Sequence, residues 1–226
     1  MAPRRVGPIL ATAVTETVAT LRSAAWPVAL LRPLPRPAAG GHPPVVLVHG
    51  FLGHPAMWRP LIRRLYRRGH DRVAAVGYPS TQRTLPQIVD AIDEVVQAQD
   101  EPVVLVGHSL GAVASRAFVK AFGGAERVLR LVSVGGPHAG TAMYRLAPPG
   151  LRDVLAPDSH WVRRLAEGPE PVPTVVVRAR YDHQVLPPVR ARLDGVREVV
   201  IDRHGHNGLL WHRTAHAAII DAIEGR

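Results

Sequence analysis

Ser109 stands in the run Gly107-His108-Ser109-Leu110-Gly111. A serine hydroxyl is a poor nucleophile until a neighbouring base takes its proton, and glycines two residues to either side let other backbone pass close to a sharp turn. The apolar run Val103-Val104-Leu105-Val106 precedes it, and Leu110, Val113, Ala114, Ala117, Phe118 and Ala121 follow at spacings of three and four. A G-x-S-x-G between a strand and a helix is a nucleophile elbow. The turn holds the serine in strained backbone with its hydroxyl exposed, and the helix N-terminus behind it favours negative charge. The chemistry is covalent catalysis through a serine ester, which needs a base and an acid to orient that base. The chain holds 12 histidines.

Elements that position these groups read from periodicity. Val45-Val46-Leu47-Val48, Val103–Val106, Leu129–Val134 and Thr174-Val175-Val176-Val177 are short, apolar and bounded by Gly, Pro or charge, as strands buried on both faces of a parallel sheet are. Weaker strands are expected at Val73–Val76 and Glu198–Ile201. Helical spacing joins Leu85, Ile88, Val89, Ile92, Val95 and Val96. Alternating strands and helices predict an α/β fold with a mostly parallel, doubly wound sheet, with the site beyond the carboxyl ends of its strands. A chain of 226 residues fits one such domain. Residues 41–226 are assigned to it, with a short cap insertion at about 142–172 whose Leu151–Leu165 stretch predicts one or two small helices, over the pocket or merely over the sheet. Residues 1–40 read as an amphipathic helix with Val6, Ile9, Leu10, Ala13, Val14, Thr17, Val18 and Leu21 on one face, then a Pro-rich connector. Arg4-Arg5 and Ser23-Ala24-Ala25 are similar to parts of an export signal, but Pro8 and Glu16 interrupt the apolar region. A membrane-surface anchor and a helix packed on the domain are the other readings.

Three motifs in chain order resemble the α/β-hydrolase superfamily, and within it the small bacterial lipases and lipase-like esterases. They are Val45–Val48 running into His49-Gly50-Phe51, the elbow with its Gly107, His108 and Gly111, and Gly136-Pro137-His138-Ala139-Gly140-Thr141. The similarity runs from about Pro44 to the C-terminus. It implies an α/β-hydrolase fold, an oxyanion hole made by the backbone N–H groups of Phe51 and Leu110, and a Ser…Asp…His chain order. His206, in Gly205-His206, falls after the last strand and before the last helix and is the implied base. His204 is the near miss, expected to face solvent. Asp182, after the strand Thr174–Val177, is the implied acid; Asp202 is its rival, and Asp153 and Asp158, in the cap, are weaker ones. His49, His108, Pro137 and His138 are expected near the pocket as supporting residues.

The resemblance implies hydrolysis of small-molecule or lipid carboxylic esters, with no cofactor. A thioesterase, an amidase or a lipid deacylase would use the same triad, and a silent binding module would be expected to have lost part of it. With no cysteine, thiol nucleophiles, thiolate zinc sites and disulfides are excluded, and no H-E-x-x-H spacing points to a metal. The net charge of +10 comes from arginine, Lys120 being the sole lysine, and reads as coding bias rather than nucleic-acid binding. Arg59, Arg63, Arg64, Arg67 and Arg68 fall opposite Trp58, Leu61, Ile62, Leu65 and Tyr66, as a solvated helix face does. Peripheral membrane contact through residues 1–31 is the one further partner expected. Location stays open between cytoplasm, membrane surface and export.

Overall fold

Six strands pair side by side in the order β2-β1-β3-β4-β5-β6, every neighbour parallel. They are β1 (Val45–Val48), β2 (Val73–Val76), β3 (Val103–His108), β4 (Val128–Val134), β5 (Thr174–Ala179) and β6 (Arg197–Ile201). The structure, a computed structural model, describes residues 6–31, 33–37 and 40–226, with backbone alone for residues 6–10 and 29.

Every residue of β1 and β3 is buried, which is why both read as unbroken apolar runs. Successive side chains point to opposite faces. Val46, Val48 and Leu105 pack with Ile88 and Ile92 of helix α4 (Leu85–Gln97) and Phe118 of α5 (Leu110–Ala121). Val45, Leu47, Val104 and Val106 pack with Leu61 and Leu65 of α3 (Arg59–Arg67) and Ile219 and Ile223 of α8 (Arg213–Glu224). Truncating any one of these leucines or isoleucines to alanine costs about 2–5 kcal/mol. The sheet ends, β2 and β6, are mostly half-buried, matching their weaker patterns. Arg67 and Arg68 are exposed at the end of the arginine face, while Leu61, Ile62 and Leu65 are buried.

Two strands run further than their apolar stretches. β3 continues through Gly107 and His108 because both pair with β4, opposite Ser133 and Val134. β5 continues through Arg178, whose guanidinium lies 2.5 Å from Glu198 of β6. Backbone pairing does not require an apolar side chain, so these extensions carry the strands toward Ser109 and Asp182.

Between β4 and β5 the chain forms a 3-10 turn at Ala142–Leu146 and two short helices, α6 (Pro149–Leu155) and α7 (His160–Ala166). Leu151, Val154, Leu155 and Leu165 are buried in the α4–α5 side of the core. The segment therefore spends these apolar side chains on the core beside α4 and α5.

Helix α1 (Val6–Ala24) packs against the 3-10 turn Asn207–Leu210. It does so with its polar stripe: Thr12, Glu16 and Ala19 are buried, whereas Val14, Val18 and Leu21 are 64, 44 and 65% exposed. Ala13 and Thr17 are exposed as well. The side chains of Val6, Ile9 and Leu10, which complete the apolar face read from the sequence, lie outside the described residues. α2 (Trp26–Leu30) follows, with Trp26 stacked on His54 at 3.6 Å. Among the described residues no helix is long and apolar enough to cross a membrane.

Candidate active site

Ser109 sits between β3 and α5 at φ 55°, ψ −121°, a left-handed conformation that a non-glycine residue holds only when its surroundings impose it. The imposition is visible. Its N–H donates to the Val134 carbonyl at 2.9 Å, and α5 starts at the next residue. A Cβ on Gly107 would come within 2.5 Å of Ala112 Cα, and one on Gly111 within 2.3 Å of the His49 carbonyl oxygen. Both contacts are to backbone that cannot yield, so strand, helix and β1 loop close on one another only with glycine at these positions. Ser109 itself is half-buried.

The loop after β1 passes beside the serine: a Cβ on Gly50 would lie 2.8 Å from Ser109 Cβ. That loop is pinned at several points. Gly53 N–H donates to the Gly50 carbonyl at 3.0 Å. Leu52 N–H donates to Ser80 Oγ at 2.8 Å, with Leu52 at φ 53°. The Tyr78 hydroxyl donates to the His49 carbonyl, and the Tyr78 ring stacks on His49 at 4.1 Å. Phe51, partly buried against the core, and Leu110, the first residue of α5, thus belong to two rigid segments flanking the hydroxyl. Backbone N–H groups in the first turn of a helix have no partner within it, which is the property an oxyanion donor needs.

On the other side lie the expected acid and base. Asp182 follows β5, and His206 follows β6; both are buried. Asp182 Oδ1 accepts from the N–H groups of Gln184 and Val185, each at 2.8 Å, leaving Oδ2 to accept from His206 Nδ1 at 2.8 Å. With Nδ1 as donor, Nε2 carries the lone pair; it is buried and has no hydrogen-bond partner among the described residues. A Cβ on Gly135, the residue after the Val134 that binds Ser109 N–H, would come within 3.3 Å of His206 Cε1. His108 Nε2 donates to the His206 carbonyl at 3.2 Å, and the two rings lie 4.7 Å apart.

Electrostatics separate this histidine from the others. Burial opposes charge on His206, but the bonded Asp182 and the nearby Glu16 more than offset it, so its pKa lies above the ordinary 6.5. Burial also works against the Asp182 carboxylate; His206 and the two N–H donors outweigh it and hold the pKa below the usual carboxylate value. His49 and His108 have no such partner, and burial pushes them down to about 4 and about 3. They are neutral at ordinary pH and serve as fixed hydrogen-bonding groups. His138, pushed well below 6.5 by burial, shares a 2.6 Å hydrogen bond with Ser133 Oγ of β4. Pro137 begins the turn closed by Gly140 N–H on its carbonyl at 2.9 Å.

The rivals fall away. Asp202 is exposed and paired with Arg180, and Asp153 and Asp158 are exposed in the α6–α7 segment. One expectation is corrected: His204 does not face solvent. It is buried, stacked on His212 at 3.4 Å, and lines a depression with Val14, Val18 and Trp211, because α1 covers this loop.

Sequence reasoning missed Glu16 as a residue of this region. Its Oε1 accepts from Asn207 N–H at 2.7 Å and its Oε2 from Gly208 N–H at 2.9 Å. The available signal was a polar stripe at helical spacing, Thr12, Thr15, Glu16, Thr20 and Ser23, opposite the apolar one. Tyr78, Ser80, Ser133 and Thr141 were missed too; Thr141 Oγ1 donates to the Gln184 carbonyl at 2.6 Å and accepts from Leu186 N–H at 3.0 Å, fixing the loop after Asp182.

Comparison with known proteins bears on the fold. The sequence pattern of the family described as alpha/beta hydrolase fold matches residues 43–154. The Mycobacterium tuberculosis protein named probable oxidoreductase EphD is 32% identical over 106 residues, 42% of this chain. The chain spans only 18% of the length of that relative. Among solved structures, the lipase BlEst2 of Bacillus licheniformis superposes with a TM-score of 0.63 at 17% identity, over 85% of this chain and 96% of that one. The metagenomic carboxyl esterase MGS0156 gives 0.63 at 19% identity, over 85% and 77%. At such identities the structural likeness is one of fold. With the six-stranded parallel sheet and the matched family pattern over β1 to α6, the chain has the α/β-hydrolase fold.

Proposed function

We propose that the chain is a serine hydrolase that cleaves carboxylic esters through an acyl-enzyme intermediate. The observation that carries this reading is the buried Asp182–His206 hydrogen bond at 2.8 Å with His206 Nε2 unengaged, its ring 4.7 Å from that of His108, next in the chain to a serine held at positive φ. His206 Nε2 takes the Ser109 proton as Oγ bonds to the ester carbonyl carbon. The carbonyl π pair moves onto oxygen, where the N–H groups of Phe51 and Leu110 would hold it; losing one such donor typically costs on the order of 10²–10³ in rate. Collapse breaks the bond to the alcohol oxygen, which leaves with the proton from His206. Water then attacks the acyl carbon, gives its proton to His206, and Ser109 recovers it as the acid departs. Asp182 stays ionised throughout, holding the tautomer and stabilising the imidazolium.

The reading extends to chain length. Leu151, Val154, Leu155 and Leu165 are used up in the core, so the segment after β4 offers few apolar side chains to a long acyl group. Leu52, Met143 and Leu146 are exposed. Esters of short or medium acyl chains, at a lightly covered site, fit this best. The test is hydrolysis of a chain-length series of p-nitrophenyl esters beside Ser109→Ala, with fluorophosphonate labelling as a probe of the nucleophile. Turnover and labelling lost in the variant, with a maximum at short or medium chains, is the expected result. Labelling without ester turnover would move the assignment to thioesters or amides, and labelling that persists in the variant would overturn it.

A further inference from the structure

We propose that Glu16 is a positioning residue for the base: α1 holds the catalytic loop through one buried carboxylate. The inference rests on the reading of His206 as the base. Glu16 is 6% exposed, and each of its two oxygens accepts from the backbone of the turn that begins right after His206, Asn207 N–H at 2.7 Å and Gly208 N–H at 2.9 Å. Those are N–H groups of a 3-10 turn whose N-cap is His206 itself, so the carboxylate fixes the backbone from which the imidazole hangs. The seat is built for it. Gly205 has no room for a side chain, since a Cβ there would meet Glu16 Oε2 at 2.7 Å. Asn207 Nδ2 donates to Thr20 Oγ1 at 3.0 Å, one helical turn along, and Thr15 Oγ1 donates to the Arg203 carbonyl at 3.0 Å. Two consecutive turns of α1 therefore grip residues 203–208.

A carboxylate is worth keeping in such a place only if its charge is used. Two backbone donors on an ionised acceptor are about twice as strong as neutral pairs. The charged and titratable groups that face His206 are Asp182 from the β5 loop, His108 from β3 and Glu16 from α1, with His183 standing 3.6 Å from Glu16 on the outer side. Asp182 touches the ring, while Glu16 acts through the backbone and through space.

The experiment uses the full chain with Glu16→Gln, Glu16→Ala and Thr20→Val. It reads melting temperature and the pH profile of kcat and KM for a p-nitrophenyl ester. In E16Q the acidic limb, set by protonation of His206, should move to lower pH as the negative charge is lost, with kcat reduced and KM nearly unchanged. E16A, which also frees the loop, should lose on the order of 10²-fold in kcat, as expected for a misplaced catalytic group. T20V should lower kcat less and leave the limb where it is. An E16Q limb and kcat equal to the wild type would overturn the proposal. If E16Q does not fold, Glu16→Asp decides: a folded E16D, its carboxylate drawn back by one methylene from the Asn207 and Gly208 N–H groups, with wild-type kcat overturns it. Ser109→Ala run alongside keeps the two claims apart, because its failure to abolish turnover would sink the triad and not merely the role of Glu16.

The opposite face of the same helix carries a second inference, independent of the first. We infer that α1 and α2 dock on an anionic lipid surface. Val14, Val18, Leu21, Val28, Leu30 and Leu31 are 44–80% exposed, and Val14, Val18, Leu21, Ala25 and Val28 follow helical spacing on the side away from Glu16. Arg22, Arg63, Arg64 and Arg67 line a depression with Ala25 and Val28, so an arginine row borders the apolar stripe. Apolar groups that enter the acyl boundary beside cations that meet lipid phosphates are what an interfacial helix requires. A second copy of a chain carrying net charge +10 would bring the same arginines together. Docking this way puts the bilayer one helix diameter, about 10 Å, from the Glu16 contacts. Flotation of the full chain with phosphatidylcholine vesicles, with and without one-third phosphatidylglycerol, should show binding only to the anionic ones. Val14→Ser/Val18→Ser/Leu21→Ser should weaken it on the order of tenfold or more. No binding to anionic vesicles, equal binding by the triple variant, or a dimer in sedimentation that the triple variant dissociates would each overturn this inference.

Discussion

Ser109 is shaped by its immediate neighbours in the chain. Gly107, Gly111, the end of β3 and the start of α5 lie within a few residues of it, and from further away come the β1 loop and the Val134 carbonyl of β4. His206 is shaped from three distant places: Asp182 is 24 residues back, the His108 that bonds its carbonyl 98, and the Glu16 that binds the next two N–H groups more than 190. Ser109, the proposed nucleophile, is set by backbone packed against backbone, which has one arrangement. His206, the proposed base, is set by side chains meeting a loop, which can loosen by degrees. The first region is therefore expected to fail by losing the fold, the second by losing activity while the fold persists.

The largest effect should come from Asp182→Asn. Turning the acceptor of the Nδ1 proton into an amide favours the wrong tautomer of His206 and should lower kcat about 10⁴-fold. The fold should survive, since Asn keeps the shape and one oxygen for Gln184 and Val185. Far-UV circular dichroism and kcat on the same preparation check this, and a loss below tenfold would remove Asp182 from the triad. The raised pKa of His206 sets the pH side: the base must be neutral to act, so activity should fall as pH drops through a value above 6.5.

Acid should next unfold the protein through its other histidines. His49, His108 and His216, held by burial at about 4, 3 and 4, stay neutral in the fold while the unfolded chain protonates near 6.5. A depressed histidine contributes full stability above 6.5 and loses it as pH falls toward its folded value. Three such groups take up about three protons on unfolding near pH 5, a slope of about 4 kcal/mol per pH unit. Urea midpoints at pH 7, 6 and 5 measure it; a flat series would mean that these rings are hydrated.

Two glycines sharpen the contrast further. In Gly111→Ala the new Cβ would meet the His49 and Val48 carbonyl oxygens at 2.3 and 2.5 Å. Backbone on both sides cannot move, so stability should fall by at least the about 1–3 kcal/mol typical of overpacking. In Gly205→Ala the clash at 2.7 Å is with the Glu16 carboxylate, the end of a flexible side chain. That variant should melt closer to wild type while kcat drops. Equal losses of melting temperature would show the base limb to be as rigid as the elbow.

The same difference decided what the sequence disclosed. β1, β3, β4 and β5 were legible because burial on both faces leaves an unbroken apolar run, and Ser109 because strand, turn glycines and helix are contiguous. His206 and Asp182 needed the resemblance to single them out of many candidates, since the bond joining them spans two loops. Glu16 was legible only as an interruption in an apolar stretch. Its meaning lay in the Asn207 and Gly208 amides, which no local pattern links to it, and His204 was misjudged for the same reason: its cover arrives from the far end of the chain.

The smallest effect tests whether α1 acts through that carboxylate or as a whole. Trp211 Nε1 donates to Ser23 Oγ at 2.9 Å, two turns beyond Glu16 on the same stripe. Trp211 is half-buried, so water can replace the lost partner, and Ser23→Ala should cost no more than about 1 kcal/mol in urea unfolding. Because Ser23 grips the chain past the turn that carries His206, its loss should leave kcat and the acidic limb in place. A fall in kcat as large as that of E16Q would mean that any loosening of α1 disturbs the base, and that the carboxylate has no special part in it.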